Sequence, residues 1–337
     1  MSKEKKEKVN IKPGNFWERN RKSEGYLLRK KIGEIGYKII RAILIFGLVF
    51  LILQPLLNKI SCSFMAEKDL YDGTVISIPR NFTTGNYTLT IQLMKYWKAL
   101  FNSLWVSLLV SVLQVAACTL VGYGFARFKF PLKNFWFACV VLVIVVPPQT
   151  ISSSLYLHFR YFDILGIIKL VTGGNTINML NTIAPYLMLV TTCMGLKSGL
   201  YIYLIRQFFR GIPKELEEAA YVDGCGKLRT FLNIMLPDAK PIITSCFLFA
   251  FVWQWTDSYY TKLFLGNVNV LSKALTSLEG RLSSYWASMY SAANATEAYT
   301  QCIISTGMLL AIIPLIILYL FAQKGFVESL SQSGIKM

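Results

Sequence analysis

Apolar residues in this 337-residue chain are gathered into six stretches that are separated by polar segments. Each stretch is close to the roughly 20 residues that an α-helix needs to cross the hydrocarbon core of a bilayer. The pattern predicts an all-α membrane protein with six transmembrane helices and one membrane domain over residues 39–337. The predicted spans cover residues 39–57, 101–125, 134–156, 182–205, 241–264 and 302–323.

Composition supports the membrane class. Hydrophobic residues make up 54% of the chain and charged residues only 16%, with a mean hydropathy of +0.46. Soluble domains carry about 25% charged residues. The net charge of +17 would suggest a nucleic-acid ligand for a soluble protein. In a membrane protein such an excess is typical of cytoplasmic segments, so no nucleic-acid partner is expected.

The distribution of lysine and arginine predicts the orientation. If the amino terminus is cytoplasmic, the inner segments carry 23 of these residues, and outer segments of similar total length carry fewer than half as many. This bias favours an N-in/C-in topology with a basic cytoplasmic N-terminal segment over residues 1–38. The inner segments are residues 1–38, 126–133, 206–240 and 324–337.

Residue types that carry catalysis or bind metals are sparse. His158 is the sole histidine, and the seven cysteines show neither CxxC nor CxH spacing. The sequence GCGKL at 224–228 lacks the first glycine and the final Ser/Thr of the phosphate-binding pattern GxxxxGK[ST]. We therefore expect no metal, no cofactor and no ATP hydrolysis in this chain.

Two spans contain residues that influence helix packing or shape. In the second, Ser103, Ser107 and Ser111 recur every four residues and Thr119 continues the line, which favours a packing seam over a binding site. In the third, the pair Pro147–Pro148 predicts a kink, because proline cannot donate a backbone hydrogen bond. Both a gating role and plain structural accommodation are compatible with this kink.

Polar side chains interrupt the fourth and fifth spans. Lys197 lies within the fourth, where a charge is costly and should face a partner, a cavity or an interface. The fifth ends with alternating Trp253, Trp255, Asp257 and Tyr259. One interpretation is an aromatic belt at the membrane surface. The other is a solute path that these five residues line, because aromatic faces beside a carboxylate suit sugar rings.

The polar segment 206–240 has the signals of two short helices. Glu215, Glu217 and Glu218 favour the amino end of a helix over 214–223, and Gly224 suits a left-handed turn after it. Leu216, Ala219 and Ala220 would form a narrow face of small residues on this helix.

A second helix is predicted over 227–235, and Pro237 should stop it. Leu228, Phe231, Leu232 and Met235 would lie on one side. One interpretation of the pair is a docking element for a cytosolic partner, and the other is a helix on the membrane surface. Surface helices usually have a basic polar face, which disagrees with three glutamates in four residues.

The spacing in this segment also carries a family resemblance. Glu218-Ala219-Ala220, followed by Gly224, Ile234 and Leu236-Pro237, is similar to the EAA signature of permeases of ATP-binding-cassette importers. Other stretches resemble the carbohydrate branch, in particular its shorter, six-span maltose-type permeases. They are RQFFRGIPKELEEAA (206–220), KP (240–241), NSLWVSLL (102–109), the pattern around Trp255 and Asp257, and SGIK (333–336). The resemblance covers nearly the whole chain from about residue 38.

The resemblance implies the fold of type I importer permeases and a role for each matching residue. Helix 214–223 would be the coupling helix that enters a cleft of an ATPase subunit. Glu218 would meet polar or basic groups there, Ala219 and Ala220 would allow close approach, and Gly224 would set the turn. The implied coupling residues are Glu215, Glu218, Ala219, Ala220, Asp223, Gly224, Ile234, Leu236 and Pro237.

The resemblance further implies a non-catalytic subunit in a prokaryotic cell membrane. Its partners would be a homologous permease in a heterodimer, two ATPase subunits that bind ATP and magnesium, and an extracellular solute-binding protein. The solute would be a sugar or an oligosaccharide. Lys197 departs from the family pattern, as does Thr256, where the family often has asparagine, and both leave the solute path open.

Two other classes of protein compete with an importer subunit. A secondary transporter or channel would need intramembrane acidic relays or an arginine-repeat helix, and the spans contain no such repeat. A membrane receptor or enzyme would need a large soluble domain or a catalytic cluster. Neither class explains the EAA spacing.

Overall fold

The computed structural model describes residues 21, 26–164, 166–290 and 295–334. These residues are predominantly helical, and two isolated β-bridges pair Met65 with Phe82 and Phe162 with Ile177. The chain divides into two compact units, residues 1–60 and 61–337.

The first unit contains most of helix α1, Tyr26–Ser63, which has Pro55 inside it. This helix extends beyond the predicted span 39–57 at both ends. The predicted basic segment 1–38 falls largely on residues 1–20 and 22–25, which lie outside the described residues. Its cytoplasmic location stays a prediction.

The remaining helices belong to the second unit. They are α2 (Glu67–Leu70), α3 (Gly85–Met94), α4 (Tyr96–Arg127), α5 (Lys133–Val145), α6 (Pro148–Arg160), α7 (Ile167–Thr172), α8 (Ala184–Thr191), α9 (Ser198–Gly211), α10 (Glu215–Val222), α11 (Lys227–Thr230), α12 (Leu236–Asp238), α13 (Lys240–Thr256), α14 (Tyr259–Phe264), α15 (Leu271–Thr276), α16 (Leu278–Tyr290) and α17 (Glu297–Gly334). A π-helical turn, Phe231–Met235, joins α11 to α12.

Helix α4 is the central element of the second unit. It packs mainly on α9 and α13, and it contributes side chains to all three hydrophobic clusters of the unit. The four hydroxyl residues predicted to form a packing seam are all buried, which confirms that prediction. Gly122 lies where α4 meets α9, and a Cβ atom there would be 2.9 Å from Ile205 Cγ2. The absence of a side chain at this position permits the close approach of the two helices.

The segment between α2 and α3 is fixed by one carboxylate. Asp69 accepts hydrogen bonds from the backbone N–H groups of Arg80 (2.8 Å) and Asn81 (2.7 Å), and from Asn81 Nδ2 (2.6 Å). The Asn81 backbone bond, with help from the other two and from the Arg80 charge, holds the pKa of Asp69 below its usual 3.8 against the opposing effect of desolvation. A nearby ion pair joins Arg80 to Asp72 at 3.1 Å.

The third and fourth predicted spans are broken rather than continuous. The axes of α5 and α6 differ by 102° at the Pro147–Pro148 pair, which is a sharper break than the predicted kink. Two adjacent prolines remove two consecutive backbone donors, so two successive helical hydrogen bonds are missing at this point. The fourth stretch forms α8 and α9, with Lys197 in a left-handed conformation (φ 62°) immediately before α9.

The fifth predicted span also consists of two helices, because α13 ends at Thr256 and α14 begins at Tyr259. In the described part of the chain, three helices are long and apolar enough to cross a membrane. They are α1 from Leu28, α4, and α17 as far as Phe321. The number rises to five if two bent helix pairs each count as one span.

Candidate functional site

The first predicted helix of the polar segment is present as α10. It covers Glu215–Val222, one residue shorter at each end than predicted. Gly224 has φ +81°, and the N–H of Cys225 donates to the carbonyl of Ala220 at 2.9 Å. A residue with a Cβ atom is strained at this φ, which accounts for the glycine and confirms the left-handed turn.

The two alanines of α10 lie on different faces. Ala219 is exposed, as are Glu218 and Val222, the last with 87% of its surface accessible. Ala220 is only 4% exposed and lies inside the second unit. Its small side chain therefore serves internal packing in this structure, and the implied role of Ala220 in close approach to a partner stays a prediction.

A buried carboxylate that sequence reasoning did not select attaches α10 to α4. Glu217 Oε1 accepts a hydrogen bond from the Tyr123 hydroxyl at 3.0 Å and lies 3.4 Å from Arg127 Nε. Arg127 also donates from Nη2 to the carbonyl of Ile212 at 2.7 Å. The available signal was spacing, since Glu217 precedes the buried Ala220 by three residues and shares its face of the helix.

The second predicted helix is only partly α-helical. Helix α11 ends at Thr230, and the π-helical turn follows. Phe231 and Met235 are buried, with the Phe231 ring 4.7 Å from that of Tyr123, whereas Leu228 and Leu232 are 70% and 48% exposed. The prediction of one common apolar side is wrong. Phe231 and Met235 form one row, which the second unit covers, and Leu228 and Leu232 form an adjacent row that stays exposed.

The end of the EAA spacing lies in α12. Ile234 and Leu236 are partly buried and Pro237 is exposed. Pro237 lies in the first turn of α12, where its missing N–H is not needed, so it begins a helical turn instead of stopping one. The chain then turns by 74° into α13.

A second candidate region is a cavity of about 700 Å³ at the breaks of the third, fourth and fifth stretches. The Pro147–Pro148 pair, the start of α9 and the end of α13 form its walls. Lys197, Trp253, Asp257 and Tyr259 all line it, so the structure brings four of the five candidate path residues together.

Trp255 is the exception and does not line this cavity. Its side chain is 4% exposed, and its Nε1–H donates to the carbonyl of Ala311 at 3.1 Å. The ring stacks on Phe251 within a hydrophobic cluster. The sequence alternation fails here because α13 is a helix, in which residues two apart point in different directions.

The charged groups of the cavity have different environments. The Lys197 ammonium lies 4.9 Å from the centre of the Trp253 ring, a cation–π contact. Asp257 Oδ2 accepts from the Tyr186 hydroxyl at 2.7 Å and from the N–H of Thr261 at 3.0 Å. Asp257 Oδ1 accepts from the N–H groups of the two residues that begin α14, at 3.1 and 3.2 Å. Asp257 is thus a cap for α14.

Among the described residues, no group of three His, Cys, Asp or Glu side chains could hold a metal ion. No disulfide joins the seven cysteines, all of which lie in this part of the chain.

Comparison with known proteins identifies the family of this chain. Residues 118–332 match the family described as binding-protein-dependent transport system inner membrane component. The arabinooligosaccharides transport system permease protein of Halalkalibacterium halodurans is 25% identical, over 86% of this chain and 93% of its own length. The maltodextrin transport system permease protein of Bacillus subtilis is 26% identical, over 86% and 92%. A solved bacterial ABC transporter that imports the acidic polysaccharide alginate has a similar fold, with a TM-score of 0.64, 17% identity, and coverage of 87% of this chain and 97% of that one.

This match extends over more than half of the sequence and includes the EAA spacing, α10 and the broken helices around the cavity. The chain therefore belongs to the family of inner-membrane permease subunits of binding-protein-dependent ABC importers, which are non-catalytic.

Proposed function

We propose that this chain forms one half of a sugar translocation pathway and receives mechanical work from an ATPase through α10. The observation that carries this proposal is the outward face of α10, where Glu218, Ala219 and Val222 are exposed beside the left-handed Gly224. A helix that presents small and acidic side chains, and that its own protein holds from behind, suits insertion into a cleft of another subunit.

The attachment of α10 to α4 makes transmission of movement plausible in physical terms. The Glu217–Arg127 contact and the Glu217–Tyr123 hydrogen bond are buried, so water competes little with either. A displacement of α10 would therefore carry the cytoplasmic end of α4 with it. Two ATPase subunits that bind ATP and magnesium, and a homologous permease as the other half, complete the proposed assembly.

The proposed topology is six spans with both termini in the cytoplasm. The lysine and arginine bias supports it, and it places α10 on the ATPase side. Single cysteines at two highly exposed positions test it with a membrane-impermeant maleimide: Val222 (87% exposed) should be labelled only from inside, and Ile76 (85% exposed) only from outside. The unsubstituted chain gives the background from the native cysteines. Labelling of both positions from one side would contradict this topology.

The proposed solute is a sugar or oligosaccharide that an extracellular binding protein delivers. Support comes from relatives named for arabinooligosaccharide and maltodextrin transport and from a solved neighbour that imports alginate. The aromatic wall of the cavity, with Trp253 and Tyr259, is consistent with stacking against sugar rings.

The coupling role is tested by copurification with the ATPase subunits and by solute-stimulated ATP hydrolysis. Gly224→Val should either abolish copurification and ATP hydrolysis together, or leave copurification intact while solute no longer stimulates ATP hydrolysis. The reason is that valine is strained at φ +81°. Gly226→Val is the matched control: this glycine also has open space around its Cβ position but has φ −72°. Equal behaviour of the two variants would contradict the coupling role of the turn.

Charge reversal separates docking from folding. Glu218→Lys should weaken copurification while the chain stays folded, because Glu218 is exposed and has no ion pair within the described residues. Glu279→Lys, at another exposed glutamate on a segment predicted to lie outside, is the control. Uptake that continues without any ATPase would instead favour a secondary transporter.

A further inference from the structure

The cavity contains a lysine that forms no ion pair within the described residues. Lys197 is exposed within it, and none of the ion pairs in the described part of the chain involves this residue. The Lys197 ammonium lies over the Trp253 ring, and this aromatic surface does not neutralise its charge. A cation at membrane depth is costly, so an opposite charge should approach it at some stage of function.

The carboxylate in the same cavity, Asp257, forms no ion pair with Lys197. Both oxygens of Asp257 are engaged, with the Tyr186 hydroxyl and three backbone N–H groups at the start of α14 as donors. A carboxylate has about four acceptor positions, and these four bonds fill them. Asp257 is therefore held in place as a cap, and Lys197 remains the ionic group that a ligand can reach.

The arrangement around Lys197 matches a specific ligand chemistry. Trp253 is 47% exposed and offers an apolar face, while Gln149, Thr256 and Ser258 add neutral polar groups to the cavity wall. The ammonium lies over the Trp253 ring, so an anionic substituent can pair with the cation while its sugar ring contacts the exposed part of the indole. A volume of about 700 Å³ accommodates one or two sugar rings.

Charged residues on the segments predicted to lie outside the cell favour the same kind of ligand, one with an anionic substituent. A cavity of about 760 Å³ is lined by Lys95, Lys98, Lys273 and Arg281 together with three asparagines, and no acidic residue lines it. Arg281 is fixed there by bonds to the Leu93 carbonyl (2.8 Å) and to Asn269 Oδ1 (3.1 Å). Burial and, to a lesser degree, the Arg281 charge lower the pKa of Lys273. Such a cluster raises the local concentration of anions at that face.

We infer that the solute carried by this importer is an anionic sugar, bearing a carboxylate, phosphate or sulfate group, and that Lys197 is the residue that binds this group. The inference rests on the proposed sugar-import function and specifies its substrate class. Neutral sugars would leave the Lys197 charge without a partner in the loaded state, whereas an anionic sugar satisfies it.

The test uses the complete transporter in proteoliposomes with its binding protein, and it measures solute-stimulated ATP hydrolysis and uptake. The probes are matched pairs that differ only in charge: a uronate trisaccharide with its carboxyl-reduced counterpart, and a phosphorylated and a sulfated disaccharide with their neutral parents. Acidic members should stimulate ATP hydrolysis and uptake, and neutral members should not.

Variants then assign the selectivity to one side chain. Lys197→Met should reduce uptake of the active acidic probe by about tenfold to a hundredfold, the range expected for one lost charge-assisted bond. Lys197→Arg should retain most of it. Lys169→Met, at an exposed lysine of α7 that does not line this cavity, should leave uptake unchanged.

Each alternative outcome overturns a different part of the reasoning. If neutral members are transported instead, or if Lys197→Met leaves acidic uptake unchanged, the anionic substrate class is wrong. Loss of assembly in Lys197→Met, with rescue by an acidic-to-neutral change in the companion permease, would show that Lys197 binds the partner subunit and not the solute. A complex that assembles with its ATPase but responds to no sugar would refute the sugar assignment itself.

Discussion

Replacement of the buried Glu217 by methionine should release α10 from α4. Methionine preserves the length of the side chain but cannot accept the Tyr123 hydrogen bond or pair with Arg127. The change leaves a cation and a hydroxyl buried without their acceptor, and such groups retain their full cost of desolvation.

The magnitude follows from the geometry of the pair. The side chains of Arg127 and Glu217 are 7% and 10% exposed, and the closest N···O distance is 3.4 Å. At an effective dielectric constant of about 20, the Coulomb attraction at this separation is about 5 kcal/mol before desolvation is considered. Removal of one partner from a buried pair typically costs about 3–5 kcal/mol. We use about 3 kcal/mol, since Arg127 keeps its bond to the Ile212 carbonyl.

A loss of this size changes the equilibrium between attached and detached α10 by more than a hundredfold. Limited proteolysis of the loop 206–240 in the purified transporter measures detachment, and the ratio of solute transported to ATP hydrolysed measures coupling. Glu217→Met should increase cleavage and lower the ratio. Glu218→Met is the control for loop attachment, because the neighbouring Glu218 is exposed and should leave cleavage unchanged.

A double variant separates the charge effect from general damage. Arg127→Met combined with Glu217→Met removes both charges, and an apolar pair often replaces a buried ion pair at little cost. The double variant should therefore recover most of the resistance to proteolysis. If Glu217→Met resembles the wild type, or if the double variant is worse than the sum of the single ones, the attachment of α10 does not depend on this pair.

Three further outcomes follow from local contacts. Gly122→Val should destabilise the α4–α9 contact by about 1–3 kcal/mol in thermal unfolding, whereas Gly124→Val, with its nearest neighbour 3.9 Å away, should change little. Since the folded pKa of Asp69 is depressed, its stabilising effect is present above the usual 3.8 and is lost as pH falls through the folded value. Proteolysis of residues 64–82 should thus increase on acidification, and Asp69→Asn should show increased cleavage already at neutral pH. Trp255→Phe should lower thermal stability and leave solute preference unchanged. Trp253→Phe should change solute preference and leave thermal stability unchanged.

Features that depend on neighbouring residues were predictable from the sequence. The apolar stretches, the helix at 215–222 and the turn at Gly224 rest on chain composition and on the steric freedom of glycine, which require no knowledge of distant contacts. The EAA spacing was also readable, and it led to the correct family. Segment lengths, in contrast, overestimated the continuity of the third, fourth and fifth spans.

Only the tertiary structure decided which side of each element is covered. It separated exposed Ala219 from buried Ala220, placed Trp253 in the cavity and Trp255 in the core, and turned Asp257 into a helix cap while Lys197 kept its charge available. It also revealed Glu217, whose importance depends on Arg127 and Tyr123, about 90 residues earlier in the chain. Burial and pairing are properties of groups that are distant in sequence, and a local pattern contains no information about which of them will meet.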